Sequence, residues 1–156
     1  MLCLPNWYYF ICFAQTTMLL TPKRWKYRKP IIRQLKGKSY RGSTVAFWQY
    51  GLKALTSSYI SNREIEAARK VIVRSIKKTG KMWIRVFPDV PFTKKGLEMP
   101  MGTGKGDVDI YTAAVRKGRV MFELMWIPRE AAKEALIKAS KKLSVKAKFV
   151  ERWEIK

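Results

Sequence analysis

Histidine is absent from the 156 residues, and cysteine occurs only at Cys3 and Cys12. Without an imidazole there is no ready general acid or base near neutral pH, and no metal-ligand set of the usual zinc kind. The serines, among them Ser39, Ser43 and Ser57, lack a base to activate them, which removes the familiar nucleophilic hydrolases. Acidic residues are scarce as well. There are 11 Asp and Glu against 33 Lys and Arg, a formal net charge of +22, and the first acid in the chain is Glu64. No apolar run approaches the ~18 to 20 residues of a membrane-spanning helix. Asp107 and Asp109, two apart on a strand, share a face as a metal pair would. Nothing else joins them, and they are expected to neutralise neighbouring lysines. The readings that follow are no enzyme, no cofactor, no metal and no small-molecule substrate.

What is present is enough apolar and aromatic residue, 47% and 13%, to fold one domain with its own core. A compact body with so large an excess of one charge repels itself unless a polyanion neutralises it, and a nucleic acid is the natural polyanion. The charge is concentrated first in residues 22–41, PKRWKYRKPIIRQLKGKSYR, with nine Lys and Arg and no acid. Lys23, Arg24, Lys26, Arg28, Lys29, Arg33, Lys36, Lys38 and Arg41 alternate with Trp25, Tyr27 and Tyr40. Cations can then meet phosphates while aromatic faces stack on bases or riboses, a pattern that a merely solvated charge run does not need. We read 18–43 as an extended basic arm. Residues 1–17, MLCLPNWYYFICFAQTT, carry no charged side chain and form a separate apolar N-terminal extension. They lack the basic n-region of a secretory signal and the arginines of a transit peptide. Packing on a partner, an upstream start before an ancestral Met18, and membrane association are three readings of it.

The remainder, within a single domain 18–156, predicts a strand over 44–54 and then a helix beginning at the capping box Ser61-Asn62-Arg63-Glu64. Ile65, Ala68, Ile72 and Ile76 form its buried stripe, and Gly80 would supply a left-handed terminus. The opposite face carries Arg63, Arg69, Lys70, Arg74, Lys77 and Lys78, a second candidate RNA surface. It also permits the alternative of a protein lying on an anionic membrane. A strand over 81–87 ends at Pro88, and a loop of 88–107 leads to Gly102-Thr103-Gly104-Lys105-Gly106. This segment invites a phosphate-loop reading but fails it. Met99 stands where the first glycine belongs, Gly106 stands where Ser or Thr belongs, and a strand follows instead of a helix. A mobile glycine-lysine finger remains. Strands over 108–115 and 120–125 are expected to form a hairpin about Lys117-Gly118. A second helix starts with Pro128 as its first helical residue, with Ala132, Leu136, Ala139 and Leu143 inward, and a last strand runs over 144–155. The fold class is α+β, two helices packed on one side of a mostly antiparallel sheet.

Several short segments, weak singly, occur together in a recognisable order. They are Pro22-Lys23-Arg24 with Arg28-Lys29, Gly51-Leu52-Lys53-Ala54, Ile65-Glu66-Ala67-Ala68-Arg69, Trp83 to Asp89 (WIRVFPD), Met101-Gly102, Gly104-Lys105-Gly106, Phe122-Glu123 and Lys148-Phe149-Val150. In this the chain resembles the bacterial-type large-subunit ribosomal proteins of the L-sixteen family, from Met18 to about Val150. The resemblance implies a hammerhead-like sandwich that binds large-subunit ribosomal RNA beside the aminoacyl-tRNA site, with neighbouring ribosomal proteins and tRNA as further partners. It implies that Met101, Gly102, Thr103, Gly104, Lys105 and Gly106 form the tRNA-site loop. Pro100 stands where the family commonly has arginine, and Thr103 where it commonly has Lys or Arg. The tip therefore carries less charge, and its backbone and Lys105 are left to make contacts. The apolar extension and these departures point to an organellar version, and the missing transit signal to one made inside a mitochondrion. Plastid and bacterial ribosomes are the alternatives.

Overall fold

The computed structural model describes residues 20–76 and 80–152. It contains, in order, β1 (Tyr50–Ala54), β2 (Ser58–Ser61), α1 (Asn62–Ile76), β3 (Lys81–Ile84), β4 (Val90–Lys94), β5 (Asp107–Val115), β6 (Val120–Met125), α2 (Arg129–Ser140) and β7 (Ala147–Glu151). The class is the expected α+β, with every strand pair antiparallel, but the strands divide between two sheets. One has the order β3-β6-β1-β7 and the other β2-β5-β4. The helices pack on each other, α2 lying against β1 and β7 and α1 against β2 and β5. Ile65, Ala68, Ile72 and Ile76 of α1 and Ala132, Leu136 and Ala139 of α2 share one buried cluster with Leu52, Ile60, Val115, Phe122 and Leu124. The apolar face of α1 is thus spent inside the protein.

The 108–115 and 120–125 strands do not pair as a hairpin. All six residues of β6 are buried, and a strand in the middle of a sheet needs partners on both edges, which β1 and β3 supply. The turn at Lys117-Gly118 instead carries the chain from one sheet to the other. Its backbone groups are satisfied by the β1–β2 connection: Gly118 N donates to Ala54 O (2.7 Å), Ala54 N to Arg119 O (2.8 Å), and Lys117 N to the Ser57 hydroxyl (2.9 Å). The first strand is also shorter than expected. Residues 46–48 give their amides to the Glu123 carboxylate, at 3.2, 2.8 and 3.2 Å, so none of them is free for a ladder.

Within the expected long loop, Val90–Lys94 is a strand. Pro91 argues against one in the sequence, yet β4 is an edge strand, where a missing N–H costs little. The strand expected over 81–87 is β3, ending at Ile84, and the last strand is β7, within the expected 144–155; residues 153–156 lie outside the described residues. Pro128 is the N-cap of α2 and not its first helical residue. The capping box of α1 forms as expected, with Glu64 N on Ser61 Oγ (3.2 Å) and Ser61 Oγ on Glu64 Oε1 (2.9 Å). Glu64 Oε2 additionally accepts Ser144 N at 3.0 Å, tying the segment after α2 to the start of α1. The left-handed helix terminus expected at Gly80 depends on residues 77–79, outside the described residues. A Cβ at Gly80 would lie 2.5 Å from Ile76 and Ile127 side chains, so close packing demands glycine there.

Glu123 and Glu64 each generate a prediction. Glu123 is fully buried and holds Arg85 Nη1 at 2.5 Å as well as the three amides. Removing one partner of a buried pair strands the other, so Glu123→Ala is predicted to lower unfolding free energy by about 3–5 kcal/mol in urea denaturation; a loss under ~1 kcal/mol would contradict this role. Partial burial raises the Glu64 carboxyl, but hydrogen bonds from Ser144 and Ser61 outweigh it and hold it below its ordinary 4.5. A depressed carboxylate adds stability above the unfolded value that is lost as pH falls through the folded one. Glu64→Gln is therefore predicted to flatten the loss of stability below pH 4.5, measured by denaturation at several acid pH values.

Candidate nucleic-acid interface

Residues 20–43 have no core of their own, as so many charges and so few aliphatic residues dictate. They are held instead along the three-stranded sheet and the crossover beyond it. Tyr59 of β2 donates its hydroxyl to Arg33 O. Ser39 N donates to Lys117 O at 2.9 Å, beside a parallel bridge between Lys38 and Lys117. Val120 N donates to Gly42 O at 2.9 Å. Backbone contacts thus fix the arm's course while its cations and two of its aromatic rings stay outward: Lys23, Arg24, Trp25, Lys26, Tyr27, Arg28 and Lys29 are all exposed, as are Arg33, Lys36, Lys38 and Arg41.

Two open clefts lie between the arm and β5. One, of ≈ 440 Å³, is lined by Pro22, Lys23, Trp25, Arg28 and Lys29 of the arm and Asp107, Val108 and Tyr111 of the strand. The other, of ≈ 530 Å³, is lined by Leu35, Lys38, Ser39, Tyr40 and Arg41 with Ala114, Arg116 and Arg119, four cations and no acid. A cleft walled by one sign of charge focuses its field, and Tyr40, 86% exposed at the rim, adds an aromatic face. Such a cleft suits a phosphate with its neighbouring base or ribose. Arg119 is also fixed in place, donating to Arg41 O (3.3 Å) and Arg85 O (3.5 Å). Sequence reading missed Arg116 and Arg119. Their signal was legible in Arg116-Lys117-Gly118-Arg119, a basic tetrapeptide whose glycine speaks only for a turn.

The glycine-lysine loop is shorter than 88–107, because β4 takes Val90–Lys94 out of it; the connection is 95–106. Lys95 Nζ donates to the carbonyls of Gly102 and of Pro100, the latter at 3.4 Å, folding the tip back over its own base. Gly102 (φ 108°), Thr103 (φ 52°) and Gly104 (φ 90°) are three successive left-handed residues. A Cβ at Gly102 or Gly104 would meet nothing, so conformation and not space calls for glycine at both. At Gly106 the reason is the reverse. A Cβ there would stand 2.7 Å from Lys94 O, closing the neck of the loop. Met101 is fully exposed, as is Leu97.

Arm and loop, which the sequence presents as separate elements, are clasped together. Lys29 Nζ donates to Lys105 O (3.2 Å) and pairs with Asp107 Oδ1 (2.9 Å), while Lys105 Nζ reaches back to Pro30 O (2.8 Å). The expected neutralising role of Asp107 is thus met by Lys29, whose hydrogen bond and charge hold the Asp107 carboxyl below its ordinary range. The α1 cations are not brought into either cleft. Arg69 is committed to Glu66 by two bonds of 2.7 Å, Lys70 lies 4.0 Å from the same carboxylate, and Arg74 is exposed. Lys77 and Lys78 lie outside the described residues.

Against known proteins, residues 22–150 match the family described as ribosomal protein L16p/L10e. The chain is 50% identical over 137 residues to a protein named large ribosomal subunit protein uL16 from Heliobacterium modesticaldum, covering 88% of this chain and 95% of that one. It is 51% identical over 132 residues to the protein of that name from a Hydrogenobaculum species, covering 85% and 94%. With that of Borrelia hermsii it shares 48% over 138 residues, covering 88% of this chain and all of the other. The match spans the arm, both sheets, both helices and the loop, and the chain belongs to the ribosomal protein L16p/L10e family.

Proposed function

We propose that this protein is a structural constituent of the large ribosomal subunit that binds large-subunit ribosomal RNA through its arm and clefts, and carries its glycine-lysine loop towards tRNA at the aminoacyl site. The observation that supports this most is the acid-free cleft of Lys38, Arg41, Arg116 and Arg119, built in a member of a ribosomal family. Residues 18–156 act as the RNA-binding unit, with 1–17 a separate extension. The exposed arm cations make the larger share of phosphate contacts, and Arg74 with Lys77 and Lys78 adds a peripheral one. No catalytic step is assigned. The membrane-surface alternative loses its main support, since the apolar face of α1 is buried against the core. The finer placement we propose is the mitochondrial ribosome. It rests on the apolar stretch 1–17, ahead of the matched residues, and on the weaker charge of a loop tip bearing Pro100 and Thr103. Recovery of the chain in large subunits from purified plastids, and not from mitochondria, would overturn that placement.

Removing one cation that neutralises a phosphate lowers the slope of log affinity against log salt by about 1. Lys38→Ala with Arg116→Ala is therefore predicted to reduce that slope by about 2 in filter binding to large-subunit RNA fragments, weakening all sequences alike. An unchanged slope would show that RNA does not enter this cleft. At the loop, Lys105→Ala is predicted to slow tRNA binding at the aminoacyl site a few-fold while subunits still assemble, scored by sedimentation and tRNA retention. Failure to assemble would mean that the clasp to Pro30, and not tRNA contact, is what Lys105 provides.

A further inference from the structure

An aromatic cluster lies on the four-stranded sheet, apart from the arm clefts and the loop. Trp126 follows β6 with φ 57°, a left-handed backbone that a bulky side chain adopts only at a cost. Glycine would hold the same backbone without strain. Nor does burial account for the tryptophan, whose indole is 58% exposed. It stands instead beside Trp48, ring centroids 6.2 Å apart, and Trp48 is 5.1 Å from Trp83. Lys81 Nζ is poised over the Trp126 ring at 4.7 Å from its centroid. Trp48 Nε1 is buried with no hydrogen-bond partner among the described residues. The cluster therefore has a rigid aromatic backing, an outward indole and a cation on it. Every nucleobase has a face that stacks on such an indole, and the ammonium can meet the phosphate that the nucleotide brings.

We propose that Trp126, backed by Trp48 and Trp83 and flanked by Lys81, stacks on an unpaired RNA base. This rests on the RNA-binding reading above and adds to it a second contact, selective for single-stranded nucleotides, on the four-stranded sheet, whereas the β4–β5 loop belongs to the three-stranded one. The charge complementarity of a +22 chain favours RNA over a protein as the occupant.

The test titrates the full chain with oligoadenylate and, separately, with inorganic polyphosphate, a polyanion without bases. Trp126→Gly accepts the left-handed backbone and so keeps the fold, and Trp126→Phe keeps a ring. We expect Trp126→Gly to bind oligoadenylate about tenfold more weakly, Trp126→Phe to recover most of that, and all three proteins to bind polyphosphate equally. Equal oligoadenylate affinity for the original chain and Trp126→Gly would overturn the proposal, as would an equal loss towards both polyanions. Unchanged oligoadenylate affinity with failed subunit incorporation would assign the cluster to a neighbouring protein and overturn it too. If the original chain bound neither polyanion, the RNA-binding reading itself would fail, a distinguishable result.

Discussion

A single buried carboxylate holds together the part of this molecule that meets the outside. Glu123 sits in β6 opposite Gly51 on one side and Trp83 on the other. It accepts the amides of Ala46, Phe47 and Trp48 and the guanidinium of Arg85, and Arg85 in turn donates to Thr44 O at 2.7 Å. A buried carboxylate is tolerable only when its oxygens are filled in this way. The consequence is directional. With residues 44–48 fixed across the four-stranded sheet, the chain before them must leave towards the 117–119 crossover, where Gly42 and Ser39 find their backbone partners. One negative charge in the core thus fixes where the arm enters the fold, and its own backbone contacts set the rest of its course, with Lys29 its one cation paired to an acid among the described residues.

That arrangement answers a difficulty posed by composition. Nine cations within residues 23–41 repel one another and gain nothing from apolar burial, so the arm should not hold a shape by itself. It is ordered through main-chain hydrogen bonds, which cost no cation its exposure, and through the Lys29–Asp107 and Lys105–Pro30 contacts at its middle. Exposed ion pairs of this kind contribute little stability in water and are screened by salt. The main-chain bonds therefore carry most of the arm's order, and the ion pair at Lys29 is weak enough to be exchanged for another anion.

The helices, the capping box and the class of fold were legible because each rests on local periodicity: Ile65, Ala68, Ile72 and Ile76 repeat at helical spacing whatever lies across from them. Sheet membership was not. Nothing local in Val108 to Met125 distinguishes a hairpin from a crossover between two sheets, since the deciding partners, Ala54 and Ser57, are some 60 residues away in sequence. The strand containing Pro91 was hidden for the same reason, its edge position being a fact about neighbours. Of the site, the arm and the glycine-lysine loop were visible as composition. The clefts were not, because Arg116 and Arg119 acquire meaning only when the arm is laid beside them. Glu123 stands out in the sequence only as part of a family pattern, and its work depends on amides some 75 residues earlier.

The loop is better understood as a backbone device than as a charged one. A tip with Arg or Lys at positions 100 and 103 would add charge to an already strongly basic chain; Pro100 and Thr103 do not, and the geometry shows what they leave in place. Three consecutive left-handed residues turn the chain at 102–104, Lys95 is used internally to hold the carbonyls of Pro100 and Gly102, and Lys105 is used internally to hold Pro30. Lys105, which the sequence assigns to the tRNA-site loop, thus shapes the protein first, as does Lys95. Exposed along the connection are the side chains of Leu97, Met99 and Met101, with Glu98, Thr103 and Lys105 among them. The two ends of the clasp therefore differ physically: the arm is a run of exposed cations, and the loop it is bonded to through Lys29 and Lys105 is shaped chiefly by its backbone.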